Sequence, residues 1–311
     1  MSAARREPKD VAASVRQRLL NLARRTGEDY NALLIRFATE RLLFRLSRSA
    51  HADHFVLKGA WLFYAWDLQR RATRDVDFLG FGDATAEAVE ALFREVLATD
   101  VEPDGVAFDL STLRVETTRH GAAYLGKRVR VEARLGAARV GTQVDIGYGD
   151  ALVALPETVE LPPLLEFPPP RLRAYSAETA VAEKLEAIVR FGTATSRFKD
   201  FFDLGVLANE CHLDGALLRD QIRETFARRG TALPSGVPSG LGASFAEDPA
   251  SRRQWSAFVQ RSRAQAGVSE RFRDVVTRVG ELVLPVLGAA AAGHPFTARW
   301  VPQAGWNRSK D

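Results

Sequence analysis

The sequence predicts an α+β protein with helices at both ends of a strand-rich middle, and three observations predict it. Residues 1 to 50 carry apolar side chains at helical spacing. Residues 51 to 155 hold short runs that alternate with a period of two, and after a proline-rich stretch the helical period returns. The expected organisation is N-terminal helices (1–50) packing on a core (51–155), a linker (156–172) and a helical C-terminal domain (173–311). At 311 residues, with 46% hydrophobic and 26% charged, the chain is large enough for a sizeable core and two domains.

Val11, Val15, Leu19, Leu20 and Leu22 mark the first helix. Leu33, Leu34, Phe37, Leu42, Leu43 and Leu46 mark a second after the Thr26-Gly27 break. The arginines among them (16, 18, 24 and 25) form either a basic surface for RNA or the solvated face of packing helices. Phe55-Val56-Leu57 is a short strand candidate that ends in Lys58-Gly59. Ala60, Leu62, Phe63, Trp66 and Leu68 then predict an apolar helix. A strand turning through glycine into a helix offers unpaired backbone N–H groups to phosphate oxygens, although such turns also occur without a ligand.

Beyond Arg70-Arg71-Ala72-Thr73-Arg74 comes the strand Asp75-Val76-Asp77-Phe78-Leu79. A period of two puts Asp75 and Asp77 on one face and Val76 and Phe78 on the other, in the core. Two carboxylates so close need a cation, and Mg²⁺ with substrate phosphates meets that need. The alternative is a solvated acidic pair bridged by Arg74. A helix over Thr85 to Leu97 follows. Strand runs come next around Leu113–Thr117, over Lys127–Leu135 with one apolar and one charged face, and over Arg139–Ile146. In the last of these Asp145 lies on the opposite face from Val144 and Ile146. It is either a strand-end acid or the third acid of a phosphoryl-transfer site.

Pro156 to Pro170 contains six prolines and marks the linker. Ser176 is a good N-cap for the helix AETAVAEKLEAIVRF, in which Lys184 falls on the apolar face with Val181 and Ile188. It either snorkels or projects into a cleft to hold a triphosphate. Asp200 and Asp203 share a face of the next helix, FKDFFDL. Asp200 there either supports the site or serves as a first-turn acid. Residues 230–246 form a Gly/Pro/Ser-rich loop, and residues 248–288 read as two helices with Trp255, Phe258, Val259, Val275, Val279 and Leu282 inward. The tail combines Trp300 and Trp306 with Arg299, Arg308 and Lys310, either to stack bases or to pack on the body.

Composition narrows the function classes. One cysteine excludes an internal disulfide framework, and five scattered histidines lack zinc-ligand spacing. The apolar runs fall short of the roughly 20 residues of a membrane span, and the N-terminus lacks a signal-peptide core, so no membrane association and a cytoplasmic location are expected. A net charge of +4 is compatible with a polyanionic partner.

Taken together, Lys58-Gly59, Arg71-Ala72-Thr73-Arg74-Asp75-Val76-Asp77, Asp145, Ala182-Glu183-Lys184-Leu185-Glu186-Ala187 and Arg197 to Leu204 resemble the AbiEii/AbiGii nucleotidyltransferase-like toxins, which include the mycobacterial MenT toxins. The resemblance spans about residues 55 to 205. It departs from the pattern at Ala60, where many members carry a second glycine.

The resemblance implies a DNA polymerase β-like nucleotidyltransferase core, a helical C-terminal region closing the cleft, and a toxin of a type IV toxin–antitoxin system. It implies transfer of a nucleotide, with a pyrimidine favoured, from an NTP to the 3′ acceptor end of tRNA, and a cognate antitoxin that is a DNA-binding regulator. By the same resemblance Asp75, Asp77 and Asp145 hold Mg²⁺ (or Mn²⁺), Asp145 helps activate the 3′-hydroxyl, and Lys58, the Gly59 amide and Lys184 neutralise the triphosphate. Asp200 is implied as functional, with Asp203, Thr73 and Arg74 as second choices. Two other classes remain open: an enzyme of the same fold that modifies a protein or itself, and a non-catalytic binder of RNA or antitoxin.

Overall fold

The computed structural model describes residues 10–69, 71, 73–120, 124–262 and 268–307. The architecture is α+β, and the chain divides into two units. One comprises residues 1–65, 73–149 and 158–174, the other residues 66–72, 150–157 and 175–311. The chain thus crosses between units several times.

The first unit begins with α1 (Val11–Thr26) and α2 (Tyr30–Arg48). Each has an aspartate N-cap, Asp10 accepting from Ala13 N and Asp29 from Ala32 N, both at 2.9 Å. α1 ends at Gly27, whose φ of 73° is left-handed, as the Thr26-Gly27 break predicted. Val15, Leu19, Leu33 and Phe37 pack with Val106, Ala133, Leu135 and Val140 into one core. Arg24 and Arg25 remain exposed on α1.

The strands β1 (Phe55–Lys58), β2 (Asp75–Gly80), β3 (Val106–His120), β4 (Tyr124–Leu135), β5 (Ala138–Tyr148), β6 (Glu157–Glu160) and β7 (Arg171–Ala174) form one mixed sheet in the order β3-β4-β5-β2-β1-β7-β6. β2 runs parallel to β5 and antiparallel to β1. Residues 156–172 are therefore more than a linker, because they supply β6 and the start of β7.

Between β1 and β2 the expected helix is only a 3₁₀ turn, Gly59–Trp61, and α3 (Leu62–Ala65). Trp66 and Leu68 lie beyond it. So short a helix sums few peptide dipoles, so it adds little positive field for a phosphate at that turn. α4 (Ala86–Leu97) follows β2 close to the expected helix, and Thr85, expected within it, instead caps it by accepting from Ala88 N.

The second unit is mainly helical, with α5 (Ala177–Phe191), α6 (Phe198–Glu210), α7 (Gly215–Arg228), α8 (Ala243–Glu247), α9 (Pro249–Ser262) and α10 (Phe272–Ala292). Ser176 caps α5 by accepting from Thr179 N at 3.2 Å. α10 is long and apolar enough to cross a membrane by length and composition, contrary to expectation. Its Val275, Val279, Leu282 and Val286 are nevertheless buried, and it packs on α6, α7 and α8 as a core helix. Phe198, Phe201, Phe245 and Trp255 surround Phe272 with ring centroids 5.2 to 5.5 Å away.

A small sheet of β8 (Leu213–Asp214), β9 (Arg299–Val301) and β10 (Gly305–Asn307) closes this unit. There the tail tryptophans pack on the body. Trp300 donates its indole N–H to Ala208 O and Trp306 to Leu282 O, both at 2.9 Å. Arg308 and Lys310 lie outside the described residues.

Candidate active site

The pleat of β2 buries Val76 and Phe78 completely and leaves Asp75 and Asp77 half-buried on the opposite face. Pairing with β5 is in register, Asp75 beside Gln143 and Asp77 beside Asp145. On the other side Asp77 faces Lys58 of β1, and Asp145 faces Arg128 of β4. One row across four strands therefore reads Lys58, Asp77, Asp145, Arg128. Two adjacent acids are bracketed by two cations, an order that offsets the repulsion between carboxylates on neighbouring strands.

Arg128 grips Asp145 with both arms of its guanidinium, Nε to Oδ1 at 2.7 Å and Nη2 to Oδ2 at 2.8 Å. Gln143 Nε2 adds a third donor to Oδ2 at 3.3 Å and itself accepts from Arg130 Nε at 3.2 Å. Asp145 is buried. The hydrogen bond to Asp145 first, then the charges of Asp145, Asp75 and Glu116, hold the Arg128 pKa above its ordinary value against the effect of burial. Thr73 donates its hydroxyl toward Asp75 Oδ1 at 3.2 Å. Arg74 is exposed.

Gly59 is required by geometry. Its φ is +69°, and a Cβ placed on it would come within 2.9 Å of Asp77 Cβ and Cγ and closer still to Asp77 Oδ2. The Asp77 carboxylate thus lies directly against the Gly59 backbone. Ala60 is buried, and the need for a bare backbone falls on Gly59.

The helical unit gathers the other predicted residues. Lys184 donates to Asp203 Oδ2 at 2.7 Å and to Asp200 Oδ1 at 3.3 Å. Arg71 binds Asp203 through two bonds of 2.8 Å, and Arg197 binds Asp200. Both aspartates are buried. Three cations here meet two carboxylates. Burial opposes charge on Lys184, but Asp203 and then Asp200 outweigh it and hold its pKa above the ordinary lysine value. Burial likewise opposes ionisation of Asp203, and Lys184 and Arg71 reverse that, holding its carboxyl well below the usual range.

Three arginines of these clusters, Arg128, Arg71 and Arg197, lie outside the predicted set of site residues. The charged face of the Lys127–Leu135 alternation was visible for Arg128, but its pairing with Asp145 depends on the register of β4 and β5. Asp203 proves more tightly bound to Lys184 than Asp200 is.

Among the described residues, no group of three or more His, Cys, Asp or Glu stands ready to hold a metal ion. Asp75 and Asp77 are hard oxygen donors on one face. They suit Mg²⁺, which binds through one or two carboxylates with phosphate oxygens and water completing its shell. Both oxygens of Asp145 are engaged by Arg128.

A mixed sheet that lines up two carboxylates on one strand with a third on its parallel neighbour, beside a glycine turn, has the core of a nucleotidyltransferase. Residues 41–278 match the family described as "Nucleotidyl transferase AbiEii toxin, Type IV TA system". The chain belongs to that family and is a nucleotidyltransferase toxin of the type IV class, with an NTP and a cognate antitoxin as the partners the family implies. No curated protein matches the sequence.

Among solved structures, the chain resembles MenT4, a nucleotidyltransferase toxin from Mycobacterium tuberculosis H37Rv. The identity is 20% and the TM-score 0.55, over 89% of this chain and 93% of that one. A putative nucleotidyltransferase from H. pylori matches at 15% identity and a TM-score of 0.45 (86% and 97% covered), and JHP933 from Helicobacter pylori at 15% and 0.48 (84% and 92%). At such identities the likeness is one of fold.

Proposed function

We propose that this chain, acting in the cytoplasm, transfers a nucleoside monophosphate from an NTP, preferentially a pyrimidine nucleotide, to the 3′ acceptor end of tRNA. The modified tRNA is then barred from aminoacylation and growth stops. The observation that carries this reading is the row Lys58-Asp77-Asp145-Arg128 with Asp75 beside it on β2. In the reaction the 3′-hydroxyl oxygen bonds to the α-phosphorus while the bond from that phosphorus to the β-bridging oxygen breaks, and pyrophosphate leaves. The hydroxyl proton passes to a carboxylate oxygen of Asp145, whose three donors leave about one acceptor direction open.

Asp75 and Asp77 would hold Mg²⁺, which when bound supplies positive charge to the phosphate oxygens. Thr73 steadies Asp75, and Gly59 leaves room for the Asp77 carboxylate. Lys58 supplies positive charge to the departing pyrophosphate, and Lys184 is proposed as a further triphosphate-binding cation. Asp200 and Asp203 hold Lys184 extended and charged, with Arg71 fixing Asp203. The exposed Arg74 contributes to binding the polyanionic substrates, and a DNA-binding regulator encoded alongside serves as antitoxin. Catalysis on this account is positioning and electrostatics.

The test is to incubate the purified protein with Mg²⁺, total RNA and each of four labelled NTPs. Label in tRNA, strongest with CTP or UTP, is the expected result. Label in protein instead assigns a protein acceptor, and no label under any condition leaves a binding module.

A further inference from the structure

The acids of the sheet are not equivalent. Asp75 and Asp77 are half-buried, whereas Asp145 is 5% exposed and bound by a two-armed guanidinium and an amide. Arg128 is itself held in the row by strand register, directly opposite Asp145, and Arg130 steadies the Gln143 that completes the shell. A planar guanidinium that matches both oxygens of a carboxylate is a strong, geometrically specific partner, and a divalent cation needs those same oxygens.

We propose that Arg128 is a positioning residue that withholds Asp145 from metal coordination. The divalent cation is thereby limited to Asp75 and Asp77, and Asp145 is kept in a fixed orientation as the proton acceptor. This inference rests on the nucleotidyltransferase reading and deepens it. It replaces the expectation that Asp145 both ligates the metal and helps activate the hydroxyl with a division of labour set by one arginine. Asp145 faces Asp77 across the β2–β5 pair, so a third carboxylate is within the same row for a cation to recruit once the guanidinium is gone.

The test is a double-mutant cycle read by Mn²⁺ binding to the full chain without nucleotide, followed by the electron paramagnetic resonance signal of free Mn²⁺. With Arg128 present, Asp145→Asn is expected to change the Mn²⁺ dissociation constant by no more than about twofold. In the Arg128→Gln background, where Asp145 is released, Asp145→Asn is expected to weaken Mn²⁺ binding by about tenfold, a coupling that independent sites do not show. Arg128→Lys keeps the charge and loses the fork. It is expected to behave like Arg128→Gln in direction, and it carries the comparison if the glutamine variant fails to fold by circular dichroism.

Equal effects of Asp145→Asn in both backgrounds, or Arg128→Lys indistinguishable from wild type, overturn the proposal, because charge alone would then account for Arg128. Absence of Mn²⁺ binding in every variant also overturns it. Labelling by the wild type, run in parallel, separates the two readings. Transfer without coupling sinks the role of Arg128 alone, and coupling without transfer sinks the proposed function alone.

Discussion

A methyl group at residue 59 would meet the Asp77 carboxylate, on a backbone whose φ of +69° L side chains rarely adopt. Gly59→Ala is therefore expected to cost about 1–3 kcal/mol of stability from backbone strain, measured by urea unfolding. It should lower nucleotide transfer further than that loss explains, because Asp77 must move. At Asp203 the prediction concerns charge. Asp203→Asn leaves Lys184 and Arg71 with a neutral partner in a buried setting, at a cost of about 3–5 kcal/mol at neutral pH.

The pH dependence follows from the lowered Asp203 pKa. An unfolded aspartate titrates near pH ~3.9, so the contribution is complete above that value. It is lost as pH falls from there toward the lower folded pKa. Unfolding curves of wild type and Asp203→Asn should accordingly be furthest apart at neutral pH and draw together below about pH 4. A gap that stays constant through that range would refute this assignment of the charge.

Individual elements were legible where their signal was local. Ser176 caps its helix as its place in the sequence predicts, and the alternation of β2 and β4 separates a buried from a polar face. Apolar spacing after Gly59 predicts a longer helix than forms, because it persists at Trp66 and Leu68 past α3 while the helical backbone does not. Proline density hid β6 and β7 in the stretch expected to be a linker.

Pairing was the least legible level. That Asp77 stands beside Asp145, and Asp145 opposite Arg128, depends on contacts between strands distant in sequence, which periodicity does not encode. The terminal strands make a prediction at this scale. Trp300 is almost fully buried on β9 and bonded to Ala208 O, so Trp300→Ala is expected to destabilise the helical unit by about 3–5 kcal/mol in thermal or denaturant unfolding.

For the whole molecule, family membership fixes the class of chemistry, and the side chains proposed to carry it lie within the matched region. The AbiEii match covers residues 41–278, which include every predicted site residue. Chelation of divalent metal should abolish transfer, and added Mg²⁺ or Mn²⁺ should restore it, as expected when two carboxylates and a triphosphate share one cation.

The account stands most directly on Asp77, which lies against Gly59 and beside Asp145 in the row across the sheet. Transfer of label from NTP to tRNA should therefore be measured for wild type and Asp77→Ala at equal folded concentration. The account predicts a loss of about 10²-fold or more for the variant, with growth inhibition lost in parallel. Undiminished labelling by Asp77→Ala would contradict it.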